Sequence, residues 1–151
     1  MPLEEFMQNY DNREWKEQKH DGWGGKSVRD LMIAVSESFV KPFYGDDYFG
    51  RNVAFQIQRM APFVRDYIIT DGGFYSEVDA LVKEGIDVYV IHMFREGCSF
   101  EGDSRDYVVH PDTTMLELHN NGTIEETLHE LTRMLKTHGL PVSYGDDQPI
   151  L

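Results

Sequence analysis

Apolar positions recur at helical spacing over residues 27–41, where Val28, Leu31, Met32, Val35 and Phe39 fall on one face. Ser27 stands ahead of them as an N-cap, with Asp30 three residues on as an approximate capping box. Lys41-Pro42 predicts the end of that helix, because the residue before a proline avoids the helical region. Tyr44-Gly45-Asp46 reads as a turn. Asp46 or Asp47 can cap a second helix over 48–60, with Phe49, Val53, Phe55 or Ile57, and Met60 as its apolar face and Pro62 as its stop.

The pattern then changes. Residues 66–70 form a short apolar run that ends in Asp71-Gly72-Gly73 and predict a buried strand entering a loop. A helix over 75–84 comes next, carrying Val78, Leu81 and Val82, with Gly85 at its C-cap. Residues 87–94 (DVYVIHMF) predict another buried strand, 95–106 a polar loop and 115–118 a third strand. Asn120-Asn121-Gly122 is a turn. Thr123 caps a helix to about Lys136, with Glu125 and Glu126 in its first turn, where the helix dipole favours them. Ahead of all this, residues 2–10 suit a helix with Pro2 in its first turn. Residues 11–26 are polar and irregular, with one turn of helix and Trp15 and Trp23 as their large apolar anchors. One domain is expected, with a lead over 1–26, a core over 27–137 and a loop-like tail over 138–151.

Strand, helix, strand, loop, strand, helix is the rhythm of an α/β parallel sheet. Ligands in such sheets sit at the carboxyl ends of the strands. That places Asp71-Gly72-Gly73 and Arg95-Glu96-Gly97 on the functional edge.

Composition narrows the class. The chain has 151 residues, 40% of them apolar, which is enough for a core and argues against disorder. No apolar run is long enough to span a membrane. The N-terminal stretch has neither a basic start nor an apolar centre, so a secretory leader is not expected and a reducing cytoplasm is. The single Cys98 makes no internal disulfide and no Cys-based zinc site. Fourteen Lys and Arg stand against 27 Asp and Glu, for a net charge of −13. Binding of nucleic acid through a basic face is not expected. The charge suits either an ordinary solvated surface or one that docks on a basic partner.

Candidate chemistry has to be weighed against plainer readings. Residues 20–27 end in Gly-Lys-Ser and open a helix, as a phosphate-cradling loop does, but His20 stands at the first glycine position and residues 12–19 are too polar for the buried strand such a loop requires. A glycine-rich turn with a capping serine is the better reading. Asp71 can hold a metal or a substrate hydroxyl, or simply cap the next helix. Arg95 and Arg105 can close on a phosphate, or pair with Glu96, Glu101 and Asp103 at the surface. The six histidines show no helical metal-binding spacing, and His92 reads as a core residue. Cys98 has no evident catalytic partner.

Taken together, several stretches resemble phage deoxynucleoside monophosphate kinases. Lys26-Ser-Val-Arg-Asp-Leu-Met-Ile-Ala-Val is similar to that family's S-x-R-x-L helix. Asp66-Tyr-Ile-Ile-Thr-Asp-Gly-Gly-Phe-Tyr-Ser-Glu-Val-Asp-Ala-Leu resembles its strand and D-x-R-x-x-x-E segment. VYVIHMFREG resembles its strand and R-P-G lid entrance, Asp103-Ser104 its D-(S/T)-H element, and Leu118-His-Asn-Asn-Gly-Thr-Ile-Glu-Glu-Thr-Leu its closing strand, turn and helix. The matches run in register over residues 26–136. The resemblance implies a three-layer, parallel-sheet, P-loop-kinase-like domain that starts after the family's phosphate-loop strand. It departs from the pattern at Gly73, Glu96 and Arg105, which replace the family's arginine, proline and histidine.

The resemblance also sets expectations for function. Phosphoryl transfer depends on positioning the phosphates, so the chain is expected to be a degenerate kinase that binds a protein partner or a nucleotide without catalysis. A partner or a second copy would cover the sheet edge that the missing strand leaves open. One alternative is the acceptor half of a divided deoxynucleoside monophosphate kinase, with Mg²⁺ and ATP held only if a partner supplies the phosphate loop. Another is an acidic inhibitor of a host protein. The resemblance implies Arg29, Asp71, Arg95 and Arg105 as nucleotide-binding residues, with Asp71 near a sugar or metal, Arg95 and Arg105 on phosphate, and no residue assigned to metal binding or catalysis. A phage origin would place the protein in the host cytoplasm.

Overall fold

The computed structural model describes residues 3–101 and 106–142. It is a mixed α/β fold with small sheets. Helix α1 (Leu3–Asn9) and helix α2 (Arg13–Glu17) lead into a short antiparallel pair, β1 (Lys19–His20) and β2 (Lys26–Ser27). A 3₁₀ turn over Asp21–Trp23 and left-handed Gly24 and Gly25 (φ 65° and 73°) reverse the chain between them. Only glycine takes up two consecutive left-handed positions at so little cost, so the glycine-rich stretch closes a hairpin.

Helix α3 (Val28–Val35) opens directly from β2. The chain does not stop at Lys41-Pro42 as its proline predicts. It passes through a π-helical stretch, Ser36–Val40, into α4 (Lys41–Tyr44), with Pro42 in the first turn of α4. The backbone stays helical throughout, and Lys41 N–H donates to Ser36 O at π-helical spacing, so the widened turn takes up a proline that lacks its own N–H. The predicted apolar face of this region is largely outside: Val28 is buried, whereas Met32, Val35 and Phe39 are exposed.

Helix α5 (Tyr48–Met60) and helix α6 (Tyr75–Lys83) pack together through small residues. Gly50, Ala54 and Ala80 are buried at their contact. A Cβ at Gly50 would lie 2.5 Å from Glu77 O and 2.8 Å from Ala80 Cβ. Of the expected apolar face of α5, Phe49, Val53 and Ile57 are half-buried, whereas Phe55 and Met60 are exposed.

Residues 66–70 are not a strand. They belong to an irregular stretch in which every residue from 61 to 72 is exposed. Strand β3 (Tyr89–Phe94) and strand β4 (Thr114–His119) do form, and they pair in parallel with Ile91 opposite Leu116 and Met93 opposite Leu118. Helix α7 (Ile124–Thr137) covers β4, and Leu116, Leu118 and Met134 make a buried cluster flanked by Tyr89 and Leu131. The described residues thus hold two sheets of two strands each. No helix lies between β3 and β4 among them.

Candidate functional site

The expected functional edge is the carboxyl end of the β3–β4 pair. Arg95 leaves β3 there, and Cys98 N–H donates to Arg95 O at 3.0 Å in a turn that Gly97 makes at φ 75°. Glu96 N–H donates to Asn121 Oδ1 at 2.7 Å, which ties this turn to the one after β4. Asn120 N–H donates to Phe94 O at 2.8 Å and carries the ladder one step further. Below the turns the Phe94 and His119 rings stack at 5.4 Å, and Tyr107 lies 4.6 Å from Phe94. Buried His92 donates from Nε2 to Val108 O at 2.7 Å, so it is a satisfied core histidine.

Of the residues expected to bind a nucleotide, Arg95 lies at this edge. Arg95 is exposed and makes no ion pair with Glu96 or Glu101, and Cys98 is exposed beside it. Asp71 is exposed in the loop before α6, and no hydrogen bond or ion pair joins it to Arg95. Nor does Asp71 cap α6: Phe74 is at the N-cap, and Gly73 N–H reaches the Glu77 carboxylate at 3.4 Å. Arg29 is exposed in the first turn of α3. Arg105, with Asp103 and Ser104, lies outside the described residues.

Two helix N-termini test the phosphate-binding reading directly. A free N-terminus offers N–H groups and a positive dipole end to an anion. At α3, Asp30 N–H donates to Ser27 Oγ at 3.1 Å and Ser27 N–H donates to Asp30 Oδ2 at 2.9 Å, a complete capping box around a buried serine. The backbone N–H of Ser27, and then its hydroxyl, hold the Asp30 carboxyl below its ordinary range. At α7, Thr123 and Glu126 form the same box, with Thr123 N–H on Glu126 Oε2 at 2.7 Å, and Glu126 is likewise lowered by the Thr123 backbone and hydroxyl. Each end already carries its own carboxylate. The residues of the Gly-Lys-Ser stretch therefore do not fit the phosphates of ATP.

Residues 84–132 contain two arginines and eleven carboxylates, so Arg95 lies in an acidic part of the sequence.

One polar arrangement escapes sequence reasoning. His110 is buried, accepts the Asp112 N–H on Nδ1 at 3.2 Å, and places Nε2 3.4 Å from Asp79 Oδ1. Tyr75 stacks on its ring at 4.9 Å. Asp79 also holds Lys83 at 2.6 Å, and that bond, followed by His110, lowers the Asp79 pKa. The Asp79–Lys83 spacing is legible in the sequence. The arrival of His110, from the turn before β4, is not. Both ring nitrogens are engaged, so the group fastens that turn to α6.

Among the described residues, no cluster of three or more His, Cys, Asp or Glu is placed to hold a metal ion, and no helix is long and apolar enough to cross a membrane. No family model, curated protein or solved structure matches the chain.

Proposed function

We propose that this chain is a degenerate relative of the deoxynucleoside monophosphate kinases, built on a three-layer parallel-sheet plan, that acts by binding a protein partner or a nucleotide and does not itself transfer phosphate. The observation that carries this reading is the Ser27–Asp30 capping box, which closes the N-terminus of α3 with the chain's own carboxylate and so leaves the Gly-Lys-Ser stretch without a free helix end for phosphate. The charge of −13 favours a basic protein as the partner.

A specific observation favours a second reading, the nucleotide-acceptor half of a divided kinase. Arg95 stands exposed at the carboxyl end of a parallel strand, on a turn held by the Glu96–Asn121 bond. That suits a single phosphate better than a triphosphate. On this reading Mg²⁺ and ATP arrive with the phosphate loop of another chain.

Thermal unfolding of the full chain against deoxynucleoside mono- and triphosphates with Mg²⁺ separates these readings. A ligand at about 100 times its dissociation constant adds about 2.7 kcal/mol, a shift of several degrees for a domain of this size. The binding-protein reading expects no phosphotransfer by the chain alone, and measurable transfer overturns it. A shift with a monophosphate alone selects the acceptor half. Arg95→Ala should then weaken binding by about 1.5–3 kcal/mol, and an unchanged affinity removes Arg95 from the site.

A further inference from the structure

Among the described residues both outer edges of the β3–β4 sheet lack a strand, that of β4 bearing Glu117, and one uncharged edge and one unpaired stretch each have what the other lacks. The first is the outer edge of β3. Alternate residues of a parallel strand turn their backbone groups to opposite sides. Thr114 N–H donates to Val88 O at 3.1 Å and Asn120 N–H to Phe94 O at 2.8 Å, so the even-numbered residues of β3 serve the ladder to β4. The N–H and C=O groups of Tyr89, Ile91 and Met93 therefore face away from it. Among the described residues, Tyr107 Oη donating to Met93 O at 3.1 Å is the one hydrogen bond on that edge. Strand β3 contains no proline, lysine or carboxylate to discourage pairing. Ile91 and Met93, on the same face as buried Leu116 and Leu118, are 36% and 51% exposed.

The second part is residues 64–69, Val-Arg-Asp-Tyr-Ile-Ile. Their composition favours a strand, and the backbone of residues 65–69 makes no hydrogen bond among the described residues. Tyr67 Oη donates to Ile57 O at 3.2 Å and holds the stretch against α5, where it lines an apolar groove of about 260 Å³ with Val53, Ile57 and Met60. Ile68 is 87% exposed.

We propose that the free edge of β3 pairs with residues 64–69 of a second copy of this chain, each copy lending its stretch to the other. A second copy supplies both missing parts at once, and the reciprocal exchange closes with twofold symmetry and leaves no open-ended contact. Charge allows it. β3 is uncharged and residues 64–69 balance Arg65 against Asp66, in a chain whose net charge is −13. The pairing segments therefore meet without local repulsion, and the long-range repulsion between two acidic copies is screened by salt. Such pairing requires neither a nucleotide nor kinase ancestry.

Sedimentation equilibrium of the full chain at low and high NaCl tests it. The expected result is a monomer–dimer equilibrium that tightens as salt rises. Ile68→Lys, at an exposed position that the monomer tolerates, should raise the dimer dissociation constant about tenfold or more. Phe55→Lys, exposed on α5 outside the groove, should leave it unchanged. In a Cys98→Ser background, Ile68→Cys and Ile91→Cys chains mixed together should join through a short bis-maleimide. A chain that stays monomeric at every concentration and salt overturns the proposal. So does a dimer that Phe55→Lys weakens as much as Ile68→Lys, or a cross-link that forms only within a chain carrying both cysteines.

Discussion

Two stretches of similar apolar content meet opposite fates. Strand β4 and helix α7 put Leu116, Leu118 and Met134 into a buried cluster, while residues 61–72, with Phe63, Tyr67, Ile68 and Ile69, remain exposed throughout. The first pair meets both needs on one side: one edge of the β4 backbone bonds to β3, and α7 packs against β4. In the second, residues 65–69 carry large apolar side chains but have no backbone partner among the described residues. A strand is stable only where its N–H and C=O groups are paired as well as its side chains covered. Hydrophobicity alone does not decide burial.

Substitutions put that contrast at risk, and their effects should differ in size. The largest is expected at Leu118, which is 1% exposed. Leu118→Ala should cost about 2–5 kcal/mol in urea unfolding, and a loss below about 1 kcal/mol would mean that the β4–α7 cluster does not hold the fold. Gly50→Ala comes next. The new methyl would sit 2.5 Å from Glu77 O, so α5 and α6 must separate, at a cost of about 1–3 kcal/mol. Thr123→Ala removes the cap of α7 and should cost about 1 kcal/mol, visible as a lower Tm and loss of helical circular dichroism. The smallest effect belongs to the exposed stretch. Ile68→Ala should change the stability of the dilute monomer by less than about 0.5 kcal/mol, and a larger loss would show that residues 64–69 are packed in solution.

The capping boxes add a pH signature. Glu126 is held below its ordinary value of 4.5 by the Thr123 N–H and hydroxyl. A carboxyl with a lowered folded pKa binds its proton more readily in the unfolded chain. Its contribution is therefore complete above pH 4.5 and drains away as pH falls through the lower folded value. Asp30 behaves in the same way below its ordinary 3.8. Tm measured between about pH 6 and pH 3 should fall, and Glu126→Gln should flatten that fall. An unchanged slope would assign the acid sensitivity to other carboxylates.

Local chemistry is legible in the chain where one short-range rule dominates. Ser27 and Thr123 cap helices, Gly24 and Gly25 turn a hairpin, and α5, α6, β3, β4 and α7 begin and end within two residues of their expected places. Three expectations fail, two for local reasons and one for want of a tertiary partner. Pro42 does not end its helix, because it occupies the first turn of α4 after the π-helical stretch. Asp47 does not cap α5 with its side chain; it pairs with Arg51 at 3.2 Å. Residues 66–70 carry a strand's composition and find no ladder. The site is less legible still. Arg95 stands where a functional arginine would, but its distance from Asp71 depends on how α6 and the exposed stretch are placed, which no spacing along the chain encodes.

Short-range chemistry in the chain is thus enough to specify the helices and their caps, the glycine turn, the two parallel-pairing strands and the acidic balance of charge. Each depends on residues a few positions apart, within reach of one another whatever the rest of the chain does. Packing settles the rest: that small residues join α5 to α6, that His110 meets Asp79, and that residues 64–69 lie against α5 with the edge of β3 left open. Those outcomes depend on which distant surfaces come together, and a run of apolar side chains specifies that it needs a partner without specifying which one.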